Sequence, residues 1–338
     1  MIFRSRIIFI VLLAQLFVLK QITGQVIIMS DKIKVAYDLD FNAKSQIKNG
    51  NLDSAVKLYK IQFNLLGYYH PAFEKSYLTA AESAAQIGDF AFCFNLLDTI
   101  FSNGFYLDFE SKYFNKSGYN IFRKTEYKIK LDSLNSYYRA RKAIVCNEET
   151  LRFMSELYYK DQVTRTSVLS LMKEFNQSLP DTLQKHMIQF SLSKIDCENR
   201  IRFLKYVMDN ELEAFKYNSY FMPILYYTIF VHNLNPLPDS VSLRTSTLNS
   251  DCAVGKEEFY KIVQPFLYKL VCMGWLNNQT YAEIIDRAYS RHLGYQLYGS
   301  LGKNEKMHSK RVMSNDFTRT NKMRVEIGLQ PIEDSDLR

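Results

Sequence analysis

Apolar positions recur at three- and four-residue spacing through most of this 338-residue chain. That is the period of helix faces turned to a core. Within residues 37–66 the spacing predicts two helices. The first ends at Asn49-Gly50, where a left-handed residue stops a helix. The second starts near Asp53 and carries Ala55, Leu58, Tyr59, Gln62 and Phe63 on one face. A similar pair follows, with Ala80, Ala81, Ala84 and Ala85 lining the helix before QIGDFAFCFNLLDTI. Residues 105–146 predict more helix, faced by Phe122, Tyr127, Leu131 and Leu134. Asn147 is placed to cap a long helix whose buried stripe is Leu151, Met154, Leu157, Tyr158, Val168, Leu169 and Met172. The next helix opens at DTLQ, where Asp181 caps and Gln184 reaches back, and it runs on past IDCENRIRFLKYV. A strongly apolar helix follows from about Tyr220 to Leu234 and ends at Asn235-Pro236, with His232 near its end. Residues 235–255 read as a long polar loop, and another helix runs from about Lys256 to Gly274. Thr280 and Glu283 form a T-x-x-E pattern, which predicts a capping box for a helix that carries Asp286 and Arg287 and stops at Gly294.

The segment KNGNLDSAVKLYK resembles the middle of a tetratricopeptide repeat. In that repeat a Gly ends the first helix, a small residue lets the second pack closely, and an aromatic four residues on fills the groove. Gly50, Ala55 and Tyr59 fit those places, and Gly88, Cys93 and Leu97 fit them again. Gly50 and Gly88 are 38 residues apart, against a usual period of about 34. The loop at Gly67–Pro71 is expected to carry the excess. Two units are fewer than a solenoid needs, so the following helices are expected to cap the array. So short an array offers little concave surface. A packing platform for a second domain is therefore weighed above a peptide-binding groove. The expected organisation is all-α: tetratricopeptide-like repeats over residues 26–146, then a helical domain over 147–338.

Composition supports helices: Gly (12) and Pro (7) are scarce, and β folds spend both on turns. The N-terminus reads as a targeting segment. Arg4 and Arg6 precede a thirteen-residue apolar run, Ile7 to Leu19, short for a bilayer span. The expectation is a signal peptide over residues 1–24, cut near Gly24/Gln25, and export to a bacterial periplasm or envelope; retention as an anchor is the alternative. Losing Arg4, Arg6 and Lys20 takes the net charge from +8 to +5, too little to suggest nucleic-acid binding. Residues 303–324 hold a local excess of basic residues without an apolar face, and read as a solvated connecting segment. The five cysteines, Cys93, Cys146, Cys197, Cys252 and Cys272, show no C-x-x-C spacing. Neither a zinc site nor a disulfide framework is suggested. Cys93 and Cys272 lie in apolar helical patterns and are expected to behave as small hydrophobes.

Four motifs recur in an order that resembles a bacterial domain-of-unknown-function family, found in exported proteins of Bacteroidetes-type bacteria. They are DQVTR at 161–165, IDCEN at 195–199, a His after apolar residues, and DRAYSRHLGYQLYG at 286–299. The ending RVEIGLQPIED looks like that family's tail, with Arg324, Gly328, Leu329 and Pro331 in matching places. The resemblance covers roughly residues 148–332. The chain departs from it before the His helix, where Gly-Trp-Pro becomes NSYFMP. It departs again after the Tyr, where Gly-Thr-Gln becomes Gly299-Ser300-Leu301.

The matched residues are Asp161, Gln162, Arg165, Asp196, Asn199, His232, Asp286, Arg287, Gln296 and Tyr298. If they converge, His232 can act as general acid or base beside a carboxylate such as Asp161. Arg165 and Arg287 can hold a phosphate or carboxylate. That is the hydrolase or transferase alternative, with His232, Asp161 and Arg287 catalytic and the others binding ligand. No nucleophile motif and no metal-ligand spacing accompanies it, and no cofactor is implied. The first-ranked expectation is a binding or interaction protein, with a protein, peptide or small anionic ligand as partner. A buried polar network joining helices is the plainer account of the same residues. His232, Arg165, Arg287 and Gln296 are expected around one cavity, with Asp161 or Asp196 pairing Arg287.

Overall fold

The computed structural model describes residues 29–103, 117–140, 148–175, 195–196, 198–210, 212–215, 259–301 and 317–332. Every regular element among them is helical, and the protein is all-α. The signal segment, the apolar helix with His232, the helix opening at Asp181, the loop at 235–255, and Cys146, Cys197 and Cys252 lie outside the described residues.

The first four helices are α1 (Asp31–Lys48), α2 (Leu52–Leu66), α3 (Glu74–Gln86) and α4 (Phe90–Ser102). Each packs on the next in chain order. Ser30 caps α1, its hydroxyl accepting from the Ile33 amide, and Asp89 caps α4 through the Phe92 amide. Gly50 and Gly88 both take positive φ in the turns between paired helices, as a helix stop followed by a sharp reversal requires. Ala55, Tyr59, Cys93 and Leu97 are all buried, and so are the four alanines of α3. Small residues at these positions let the helix axes approach. Between α2 and α3 the chain runs through an irregular stretch and a 3-10 turn, Pro71–Phe73. Two more helices, α5 (Ser117–Phe122) and α6 (Glu126–Ala140), cover the end of this layer. Phe122 and Leu131 are buried there, and the Tyr119 hydroxyl donates to the Leu78 carbonyl across the contact.

The C-terminal half contributes α7 (Glu148–Phe175) and α8, helical at residues 195–196 and 198–209. A π turn, Phe259–Val263, leads into α9 (Gln264–Cys272), and α10 (Asn278–Leu293) and α11 (Phe317–Glu326) follow. Pro265 has no amide to return to the Lys261 carbonyl, so the turn before it widens. Phe203 of α8 and Phe215 beyond it both meet Phe266 of α9 edge-on.

Two expectations need correction. The T-x-x-E pattern does not cap α10. Asn277 does, its side chain accepting from the Gln279 and Thr280 amides, which places Thr280 inside the first turn. Asn reaches those two amides directly, and buried Leu276 and Asn278 on either side fix where the helix begins. Residues 317–324 are not a solvated connector. They form most of α11, because Arg324, Asn321 and Thr320 tie that helix into the block.

The two halves share one continuous core and meet along a polar seam. The turn after α9 lies against the connection between α2 and α3: the Ala72 amide donates to the Gly274 carbonyl, and Asn277 Nδ2 donates to the Ala72 carbonyl. The Asn278 amide donates to the Tyr37 hydroxyl of α1, and Gly328 lies on the Tyr37 ring. Gln330 Nε2 donates to Asp38, also on α1.

Candidate functional site

The motifs DQVTR and IDCEN face each other. Helices α7 and α8 run antiparallel, and their contacts step in register: Thr150 with Tyr206, Glu156 with Arg202, Leu157 with Asn199, Lys160 with Glu198, and Arg165 with Asp196. Arg165 lies at the centre of the motif pair. Its Nε donates to Asp161 Oδ1 at 3.0 Å, one turn back on α7, and its Nη2 donates to Asp196 Oδ1 at 2.6 Å on α8. Gln162 Nε2 donates to the second Asp161 oxygen at 2.8 Å. The Asp161 side chain is 0% exposed, so this is no solvated surface pair. A buried carboxylate of this kind persists only when its charge is matched and its lone pairs are filled, and both conditions are met. Asn199 Nδ2 donates to the Leu157 carbonyl, which pins the helices at a second point. These five motif residues therefore set the register of the antiparallel helix pair.

The stretch DRAYSRHLGYQLYG builds a second group. Gly294 takes positive φ, ends α10 and turns the chain back along it. Residues 297–300 then wrap around Asp286. Its Oδ1 accepts from the Tyr298 amide at 2.7 Å, and its Oδ2 accepts from the Ser300 amide at 2.6 Å and the Ser300 hydroxyl at 2.7 Å. Gln296 Oε1 accepts from the Leu301 amide, fixing the same turn from its other side. Burial raises the Asp286 pKa above the ordinary range of an aspartate, against the opposing pull of those amides and the Ser300 hydroxyl. The Tyr298 ring packs edge-on against Tyr281, and burial drives both phenols well above their ordinary range. Arg324 closes the turn from outside: Nη1 donates to the Tyr298 carbonyl and Nε to the Gln330 carbonyl. The chain around Arg324 and Gln330 and the turn at residues 296–299 are thus one structural unit.

Eight of the ten candidates fall into these two hydrogen-bonded groups; His232 lies outside the described residues, and Arg287 is half-buried on α10, next in sequence to Asp286. The expectation that Asp161 or Asp196 serves Arg287 meets a competitor: Arg165 engages both carboxylates. Sequence reasoning missed Arg324, Ser300 and Asn278 as members of the polar framework. Ser300 stood where the family pattern breaks, and only its hydroxyl on Asp286 shows what it does. Asn278 Nδ2 donates to the Ile327 and Gly328 carbonyls, a link over about fifty residues that no local pattern announces. Among the described residues no group of three or more His, Cys, Asp or Glu is arranged to hold a metal ion. Asp286 and Asp161 each offer a carboxylate whose oxygens already accept from protein donors, which is the chemistry of a clasp. No family model, curated protein or solved structure matches the chain.

Proposed function

We propose that this chain is an exported helical-repeat binding protein, in which the tetratricopeptide-like layer meets a protein or peptide partner and the C-terminal block supports it. The observation that carries the reading is the consumption of the candidate carboxylates by internal donors. Asp161 is held by Arg165 and Gln162, and Asp286 by two backbone amides and the Ser300 hydroxyl. A general base must reach the proton it removes, and these oxygens are turned inward. The stacked pairs α1/α2 and α3/α4, with their glycine turns, support the repeat-like layer. Phe41 of α1 and Ile61 of α2 are large apolar side chains left about half exposed on it. The resemblance to the exported family of unknown function and the short apolar run behind Arg4 and Arg6 support export. Among the described residues no helix is long and apolar enough to cross a membrane.

The test is peptide-array binding by the chain lacking residues 1–24, with Phe41→Ser and Ile61→Ser as surface variants. Saturable binding weakened at least tenfold by these variants, with helicity intact, supports the reading. Turnover of phosphoester, ester or glycoside substrates that is abolished by His232→Ala sinks it in favour of the hydrolase alternative. Export is tested by N-terminal sequencing of the protein from its host: a start near Gln25 is expected, and an intact Met1 in the cytoplasm overturns it.

A further inference from the structure

His70 is the most unusual side chain at the seam between the two halves. It is 3% exposed, and neither Nδ1 nor Nε2 has a hydrogen-bond partner. Its ring stacks on Tyr68 at 4.2 Å and presents an edge relation to Phe73 at 6.4 Å. Its other neighbour is the backbone of Gly274, in the turn after α9. A Cβ there would stand 2.6 Å from Nδ1, so the imidazole fills the space that glycine leaves. The hydrogen bonds that hold this turn in place, Ala72 to Gly274 and Asn277 to Ala72, lie within a few residues of the ring.

We propose that the seam is an acid-opened latch: a proton on His70 releases the turn at residues 273–278 from the N-terminal layer. A neutral imidazole fits this apolar slot at the cost of one unpaired N–H. An imidazolium would bring a full charge and two donors to a place without a counter-ion. Of the groups around it, only the Met273 backbone favours the charge, and it does so less than burial and Lys32 oppose it. From α1 the charged neighbour is Lys32, of the same sign. From the opposing turn there are the Met273 backbone, which pulls the His70 pKa up, and the Cys272 thiol, which burial pushes up to about 11. From its own segment there are the Tyr68 and Tyr69 rings. Glu74, at the start of α3, is pushed up to about 8 by burial and is a neutral acid in the relevant range.

Burial first, and then Lys32, hold the His70 pKa down at about 4, against the ordinary value of 6.5. The sign follows. Above 6.5 the ring is neutral whether the seam is closed or open, and docking is at full strength. As pH falls from 6.5 to about 4 the open form takes up the proton and the closed form does not, so docking weakens, by roughly three hundredfold in total. Below about 4 both forms are protonated and this loss stops growing.

Trp275 is the protein's single tryptophan, buried one residue from Gly274, and it reports on this turn directly. The experiment is a titration of the full chain from pH 7.5 to 3.5. It follows Trp275 emission, amide exchange at Ala72 and Asn278, and far-ultraviolet circular dichroism. The expected result is a red shift of Trp275 and lost protection at both amides between pH 6.5 and 4, with helicity kept. His70→Phe, which keeps a stacked ring but cannot titrate, should hold the emission and the protection constant. Lys32→Met should lessen the acid effect, because removing that charge lets the closed form accept the proton more readily. A wild-type Trp275 environment unchanged down to pH 4, or an identical shift in His70→Phe, overturns the proposal. If His70→Phe does not fold, a nuclear magnetic resonance titration of His70 in the wild type decides: a pKa below 5 supports the latch, and one near or above 6.5 overturns it.

Discussion

Asp286 and Tyr298 are twelve residues apart, yet the Asp286 carboxylate accepts the Tyr298 amide at 2.7 Å, and that bond fixes the turn after α10. With the Ser300 amide and hydroxyl on the other oxygen, one side chain satisfies donors that a tight buried turn would otherwise leave orphaned. Asp286→Ala should therefore cost about 3–5 kcal/mol, since it strands the buried Tyr298 amide and the part-buried Ser300 amide and hydroxyl. Ser300→Ala, which leaves both amides bonded, should cost about 1 kcal/mol. Urea unfolding of the two variants checks the ratio; equal small losses would show that the carboxylate does not organise the turn.

Arg165→Met should destabilise by about 3 kcal/mol or more, because it takes the Arg165 guanidinium away from the charged, buried Asp161 carboxylate. Asp161→Asn added to that variant should recover part of the loss. A double-mutant cycle between Arg165 and Asp196, the less buried carboxylate, should give a coupling of about 1–3 kcal/mol. Additivity within error would contradict the helical clasp.

The cap of α10 separates two positions that look alike in sequence. Asn277→Ala removes an acceptor from two amides of the first turn and should cost about 1 kcal/mol. Thr280→Ala should be close to neutral, since Thr280 lies inside the turn it was expected to open. Thermal unfolding of both proteins is sufficient, and the reverse order would restore the T-x-x-E cap.

Glycines at the seam should be far less replaceable than glycines in the α1/α2 and α3/α4 turns. All take positive φ, which costs an alanine about 1 kcal/mol. At Gly50 and Gly88 nothing lies within 4 Å of an added Cβ, so that strain is the whole effect. At Gly274 the Cβ would meet His70 at 2.6 Å, and at Gly328 it would meet the Tyr37 ring at 2.7 Å. Gly274→Ala and Gly328→Ala should each lose at least about 2 kcal/mol more than Gly50→Ala. Equal losses at all these positions would mean that the seam yields readily.

Glu74 gives a pH signature of opposite sign to that of His70. Burial raises its pKa from 4.5 to about 8. Its contribution is therefore complete below pH 4.5 and is lost as pH rises through 8. Glu74→Gln should be on the order of 2–4 kcal/mol more stable than wild type at pH 9, and nearly equal to it at pH 4. A stability difference that does not change between those pH values would contradict a raised Glu74 pKa.

Helical periodicity alone determined where much of the chain is helix. The glycine stops at Gly50, Gly88 and Gly294, the buried stripe at Met154 and Leu157, and the i,i+4 approach of Asp161 to Arg165 are all local facts. Spacing of a few residues is enough to encode them, because a helix sets its own geometry. The capping of α10 was misread because Thr280 and Asn277 both offer side-chain acceptors within one turn. The choice between them was made by the burial of Leu276 and Asn278, which depends on distant chain. Only the tertiary structure could put Asp196 on Arg165, Arg324 on the Tyr298 carbonyl, Asn278 on residues 327 and 328, and Gly274 under His70. These contacts join segments separated by about 25 to 200 residues. Their partners are chosen by which helices pack together and in what register, and a linear pattern of apolar positions leaves that choice open.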